Sequence, residues 1–212
     1  MNNITEEKLT NYIQQNSSNL DALLDELYRE TNLKTLQPNM ISGHEQGLLL
    51  QFFSRMIKPE RVLEIGTFTG FATICLAAGL TKNGWIDTIE VNDEMQYFHE
   101  KYFSKANLQQ HIKVHYGDAK EIMLKLNAEF DVIFIDADKG SYSLYFDLVI
   151  DKVKKGGWII ADNVLWKGKI LEEKFDKKTT AIDSFNKKLR ADKRVENLIL
   201  PIRDGLNVIR KL

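Results

Sequence analysis

The chain has 212 residues, the length of one ordinary domain. Its 43% apolar and 28% charged residues exclude a disordered or fibrous protein, and no apolar run approaches the ~18 residues of a membrane span. The net charge of −1 conceals an asymmetry, because residues 1–166 carry 16 Lys and Arg against 23 Asp and Glu whereas residues 167–212 carry 13 against 7. A basic stretch of this kind is a solvated face or a meeting place for an anionic substrate or nucleic acid. The start, MNNITEEKLT, lacks the basic-then-apolar plan of a secretory leader, and the one cysteine, Cys75, has no internal disulfide partner. Both features suit a reducing, cytoplasmic setting and exclude a zinc-finger scaffold.

With three prolines (Pro38, Pro59, Pro201), no linker and no repeat, the chain reads as a single domain over 1–212. Two helical stretches come first, and in the second Leu20, Leu23, Leu24 and Leu27 fall at helical spacing. A loop with Gln37-Pro38-Asn39 leads to a helix from about Gly43 to Ile57. After Pro59 short apolar runs appear at Arg61–Ile65, Trp85–Val91, Ile112–Tyr116, Phe130–Ile135 and Trp158–Ala161. Amphipathic stretches near 70–80, 93–106, 118–127 and 141–153 separate them. Such alternation predicts a parallel sheet with right-handed crossovers. Val195–Leu200, a turn from Pro201 to Gly205, and Leu206–Leu212 read as a hairpin, which makes the last strand antiparallel. The predicted class is therefore α/β: a Rossmann-like, doubly wound, seven-stranded sheet, mostly parallel, with helices on both faces. Residues 1–58 stand outside the sheet pattern and would line the substrate mouth as a cap or form an interface, with 59–212 as the core.

In such sheets ligands bind beyond the carboxyl ends of the strands, near the point where strand order reverses. The first strand leaves into Glu64-Ile65-Gly66-Thr67-Phe68-Thr69-Gly70, where glycines permit a sharp turn and a close approach to a ligand. It is not GxGxxG, since Phe68 stands in place of the second glycine. Glu90 ends the next strand, 24 residues after Gly66, where a carboxylate can accept both ribose hydroxyls and disfavours a 2′-phosphate. Otherwise Glu90 is a helix N-terminal acid before Asn92 and Asp93. Gly117-Asp118-Ala119 closes the third strand and can flank an adenine, unless Asp118 only caps the following helix.

Strand four delivers Asp136-Ala137-Asp138-Lys139-Gly140, and strand five delivers Asp162-Asn163. Adjacent parallel strands would gather Asp136, Asp162 and Asn163 around one small volume. Three oxygen donors without His or Cys suit a hard cation, Mg²⁺, Mn²⁺ or Ca²⁺. The bland alternative is a pair of helix caps. Lys139 is close enough to share the site; beside a cation its ammonium is disfavoured, which suits a general base. Its bland alternative is a surface salt bridge with Asp138.

These strand-end residues, in this order, resemble the cation-dependent class I S-adenosylmethionine O-methyltransferases of the caffeoyl-CoA and catechol type. The resemblance runs over nearly the whole chain: the Met40-Ile41-Ser42 loop, VLEIGTFTGFATICLA at 62–77, IDADKGSY at 135–142, ADNVLWKGK at 161–169 and LPIRDG at 200–205. It implies that Met40 to Ser42 close over the methionine part of the cofactor. Glu64, Gly66, Thr67 and Gly70 resemble the cofactor loop, Glu90 the ribose acid, Asp118 and Ala119 the adenine side, and Asp138 a further cofactor-side acid. Asp136, Asp162 and Asn163 are similar to the metal ligands and Lys139 to the catalytic lysine. Plant members generally carry Ser at the position of Ala72, whose hydroxyl contact with the cofactor is lost here. They also carry Asn where Lys167 stands, beside Trp166 in the substrate-facing loop, which weakens a direct transfer of caffeoyl-CoA as substrate.

The chemistry implied is an in-line displacement in which an oxyanion attacks a sulfonium methyl, with Mg²⁺ or a similar ion gathering two vicinal oxygens. A small phenolic or diol acceptor and a homodimer are the expected partners. Rival readings are methylation of a hydroxylated base in transfer RNA, an NAD-dependent oxidoreductase, and a non-catalytic nucleoside-binding module. The missing GxGxxG opposes the second, and the module would not need the Asp136, Lys139, Asp162 and Asn163 set. His44, His99, His111 and His115 form no metal pair, with His111 and His115 expected to be exposed; Cys75 reads as helix core. Trp166 reads equally as a stacking platform or a loop anchor.

Overall fold

Successive side chains of a strand point to opposite faces, so a segment such as Val62-Leu63-Glu64-Ile65 needs cover on both sides. The computed structural model, which describes residues 6–212, supplies that cover. Five strands run parallel: β1 (Arg61–Ile65), β2 (Trp85–Glu90), β3 (Ile112–Tyr116), β4 (Phe130–Ile135) and β5 (Val153–Ala161). A terminal hairpin adds β6 (Val195–Leu200) and β7 (Leu206–Lys211). The order is β3-β2-β1-β4-β5-β7-β6, with β7 antiparallel to both of its neighbours.

Helix α1 (Glu6–Asn16) leads the described chain. Helices α2 (Ala22–Lys34), α3 (His44–Ile57), α4 (Phe71–Ala77) and α5 (Gln96–Lys105) cover one face, around Val62, Val132, Phe134 and Ile160. Helices α6 (Ala119–Lys125), α7 (Tyr142–Val149) and α8 (Lys177–Ala191) cover the other, around Leu63, Ile65, Ile133 and Ile135. The predicted doubly wound sheet, with an antiparallel last strand, is the fold.

Two elements depart from the sequence reading. Strand β5 begins at Val153 rather than Trp158, because Gly156, at φ +77°, and Gly157 interrupt the apolar alternation without ending the strand. Helix α8 was hidden in the basic stretch; Ile182, Phe185 and Leu189 are buried beneath its lysines, and Asp176 caps it by accepting the Thr179 N–H at 2.7 Å. Among the described residues no helix is long and apolar enough to cross a membrane. Met1–Thr5, part of the segment read for a leader, lie outside the described residues.

Candidate active site

Strand β1 lies between β2 and β4, so the chain winds away from it in both directions and leaves a crevice beyond the carboxyl ends. The crevice encloses about 650 Å³. Gly66 sits at its floor with φ +102°, and a Cβ there would fall 2.0 Å from the Asp136 carbonyl oxygen. Only glycine lets the β1 and β4 exits touch. The Gly66 and Thr67 N–H groups donate to the Ile89 carbonyl at 3.0 and 3.2 Å, tying the loop to β2. Phe68 takes φ +48°, and its N–H donates to Glu90 Oε2 at 2.6 Å, while Asn92 N–H donates to Oε1 at 2.9 Å. Burial pushes the Glu90 carboxyl upward, opposed by these backbone donors.

Met40, Ser42, Gly66, Thr67, Ala72, Glu90, Asp118, Ala119 and Asp138 all line the crevice. Two residues expected to contact a cofactor do not reach it. Strand alternation turns Glu64 to the α4 face, where it is fully buried and accepts from the Thr73 and Thr88 hydroxyls. Burial pushes its carboxyl up to about 8. Gly70, at φ +89°, turns the chain over the Phe103 ring. Both shape the loop from behind.

At the other end, Asp136, Lys139, Asp162, Asn163, Trp166 and Lys167 share the wall. Lys139 Nζ donates to Asp136 Oδ1 at 2.7 Å and to Tyr142 Oη at 2.8 Å. Its partner is therefore not Asp138, which instead caps a turn by accepting from Ser141 Oγ at 2.8 Å. The Tyr142 hydroxyl donates to the Asp162 carbonyl at 2.9 Å, binding the exits of β4 and β5 together. Burial works against the Lys139 ammonium, but Tyr142 and Asp136 outweigh it and push the amine upward. The expected neutral base is thus not what these residues alone favour; it requires the Asp136 charge to be matched by another group.

Asp162 is buried; its Oδ2 accepts from Gln46 Nε2 at 2.7 Å and its Oδ1 from the Asn163 N–H at 2.6 Å. Gln46 Oε1 in turn accepts from Arg203 Nη1 at 2.9 Å, and Arg203 Nη2 donates to the Ile41 carbonyl at 3.2 Å. Sequence reading missed this relay: Gln46 lies inside α3 with no strand-end signal, and Arg203 was part of a quoted segment without a role. Burial, reinforced by the charge of Asp136, pushes the Asp162 carboxyl upward. Two mutually repelling carboxylates joined by the Asn163 carboxamide are a donor set that a hard cation fits. Among the described residues no group of three or more His, Cys, Asp and Glu side chains is placed to hold a metal ion.

Trp166 and Lys167 both adopt positive φ, +49° and +53°, and the Lys167 N–H donates to the Asp204 carboxylate. The Trp166 Nε1 is buried without a partner among the described residues. His111 and His115 are not exposed as expected: His111 Nδ1 donates to the Gly84 carbonyl at 2.8 Å, and His115 Nε2 meets Asp87 Oδ1 at 2.8 Å. Cys75 is buried in α4, and burial pushes its thiol up.

The family model described as O-methyltransferase matches residues 14–212. A catechol O-methyltransferase of Niastella koreensis is 33% identical over 207 residues, covering 94% of this chain and 92% of its own. A methyltransferase of Podospora anserina solved with SAH bound superposes with a TM-score of 0.91 at 27% identity, over 100% of this chain and 97% of its own. The O-methyltransferase of Bacillus cereus in complex with SAH gives 0.88, also at 27% identity, over 96% of this chain and 97% of its own.

Proposed function

The chain belongs to the O-methyltransferase family, and we propose that it moves a methyl group from S-adenosylmethionine to one hydroxyl of a catechol-like or other vicinal diol. We infer further that a divalent cation, Mg²⁺ foremost, is held by Asp136, Asp162 and Asn163. The observation that carries this reading is the meeting of two repelling carboxylates, a carboxamide and Lys139 in the same crevice as the Gly66 loop and Glu90. When bound, the cofactor supplies an electrophilic sulfonium methyl, and the cation a charge that makes an acceptor hydroxyl easier to ionise.

The chain's own residues do the rest. Glu90 has both oxygens anchored by backbone N–H groups, which leaves its remaining lone pairs for ribose hydroxyls. Arg203 and Gln46 orient Asp162, while Tyr142 fixes Lys139 beside Asp136. Lys139 thereby stands where it can hold or take a proton at the acceptor oxygen, and most of the rate comes from positioning that oxygen. The helices before the sheet would form a cap over the crevice or an interface, and the chain would act as a cytoplasmic homodimer.

The test is transfer of labelled methyl to a panel of diols, phenolic CoA esters and bulk transfer RNA. Turnover of a diol should vanish in chelator and return with Mg²⁺ or Mn²⁺. Full activity in chelator, with metal removal verified, would make Asp136 and Asp162 structural. Labelling of RNA alone would move the acceptor to nucleic acid.

A further inference from the structure

Among the crevice-wall residues held in an unfavourable backbone conformation is Phe68, and one of the groups that hold it lies outside the wall. Phe68, at φ +48°, occupies the left-handed region that bulky side chains rarely adopt. Its N–H is taken by Glu90 Oε2 at 2.6 Å, and its carbonyl accepts from His99 Nε2 at 2.7 Å. A carbonyl can only accept, so Nε2 carries the hydrogen. The Nδ1 of the neutral ring then accepts from the Tyr116 hydroxyl at 2.8 Å. Burial keeps the imidazole neutral by pushing its pKa downward, against the pull of the Phe68 bond.

The ring is also held by two aromatic neighbours. It stacks on Phe103 at 5.4 Å and 3°, and on Tyr116 at 5.8 Å and 25°. Phe103 lies directly beneath Gly70, where a Cβ would come within 2.6 Å of its ring. One imidazole thus joins α5, the end of β3 and both halves of the Gly66–Gly70 turn. A Leu or Phe would fill the same slot but leave the Phe68 carbonyl without its donor.

We propose that His99 is a positioning residue for the methyl donor: by holding the Phe68 carbonyl it fixes the Thr67-Phe68-Thr69 backbone and, through the Phe68 N–H, the angle at which Glu90 meets the ribose. This rests on the reading of the crevice as the S-adenosylmethionine site. His99 does not line the crevice, so it acts through Phe68 and not on the cofactor itself.

The test is calorimetric titration of S-adenosylhomocysteine into the wild-type protein, His99→Leu, His99→Gln and Tyr116→Phe. His99→Leu should weaken binding about tenfold, the scale of one lost hydrogen bond. Tyr116→Phe should cost about threefold, and His99→Gln, whose amide can still donate, should return to within about threefold of wild type. The donor KM of His99→Leu should rise by more than its kcat falls. Wild-type protein that binds no S-adenosylhomocysteine would overturn the cofactor reading and this inference together. Binding by wild type that all three variants match would overturn the inference alone. So would His99→Gln as weak as His99→Leu, since the effect would then belong to ring packing. Should His99→Leu fail to fold, Tyr116→Phe decides, and unchanged affinity there counts against the proposal.

Discussion

Lys139 is buried enough that its two neighbours, Asp136 and Tyr142, govern its charge. Removing the amine should lower the single-turnover rate by about 10²–10⁴-fold, the contribution of a positioned proton-transfer group. Affinity for S-adenosylhomocysteine should hardly change, because Lys139 hydrogen-bonds at the Asp136 end of the crevice and not at Glu90. Lys139→Arg should not restore the rate, since guanidinium keeps its proton and cannot match the Asp136 and Tyr142 geometry. A near-wild-type rate in Lys139→Ala would remove the lysine from the chemistry. Glu64 makes a different prediction. It titrates near 4.5 in the unfolded chain and near 8 when folded, so the folded state holds an extra proton between those values. Stability from this group is therefore fully present below the lower value and is lost as pH rises through the upper one. Glu64→Gln abolishes that linkage. Urea titrations should show the variant gaining on wild type by roughly 3–5 kcal/mol between about pH 5 and pH 8. Parallel stabilities at both ends would show that Glu64 does not carry the proton. Residues at strand ends, such as Gly66, Glu90, Asp136 and Asp162, were legible because topology alone brings strand ends to the crevice. Glu64 was misread because one step along a strand reverses the face. Gln46, Tyr142 and His99 act through partners on other elements, which no spacing reveals.

At the scale of elements, the helix pair α3 and α4 is held by close backbone approach. A Cβ on Gly79 would lie 2.1 Å from both the carbonyl carbon and oxygen of Ser54, so the helices could not stay where they are. The same point is pinned by polar contacts: Ser54 Oγ accepts the Gly79 N–H at 3.0 Å and donates to the Leu76 carbonyl. Gly79→Ala should cost about 1–3 kcal/mol, the usual range for overpacking, and lower Tm by roughly 2–10 °C. A thermal melt checks it, and an unchanged Tm would mean that the α3–α4 spacing is adjustable. Elements with two or more apolar residues per turn were legible from sequence, as with the leucines of α2. Helix α8 was not, because its buried stripe is only Thr179, Ile182, Phe185 and Leu189 among five basic residues, and charge masks so thin a period. Its Asp176 cap, three residues before Thr179, was the signal that could have found it.

For the molecule as a whole, the crevice joins segments from Gln37 to Asp204 that meet only in the folded sheet. The hairpin and its antiparallel last strand were legible, but not that β6 would form the edge. Strand β7 lies between β5 and β6, with Leu206, Val208 and Ile209 buried, while β6 leaves Leu198 exposed. A ligand that bridges the reversal between β1 and β4 binds the folded chain and not the unfolded one, so it must raise thermal stability. At about a hundred times its Kd, S-adenosylhomocysteine should stabilise by ~2.7 kcal/mol, or roughly 5–11 °C in Tm for a domain of this size. NAD should give no comparable shift. Its ribose could still meet Glu90, but its pyrophosphate needs close backbone approach where Phe68 now stands in place of a glycine. Melting curves with each ligand over a concentration series decide the matter. A shift with NAD that equals or exceeds the shift with S-adenosylhomocysteine would mean that the Gly66 loop is shaped for a dinucleotide after all.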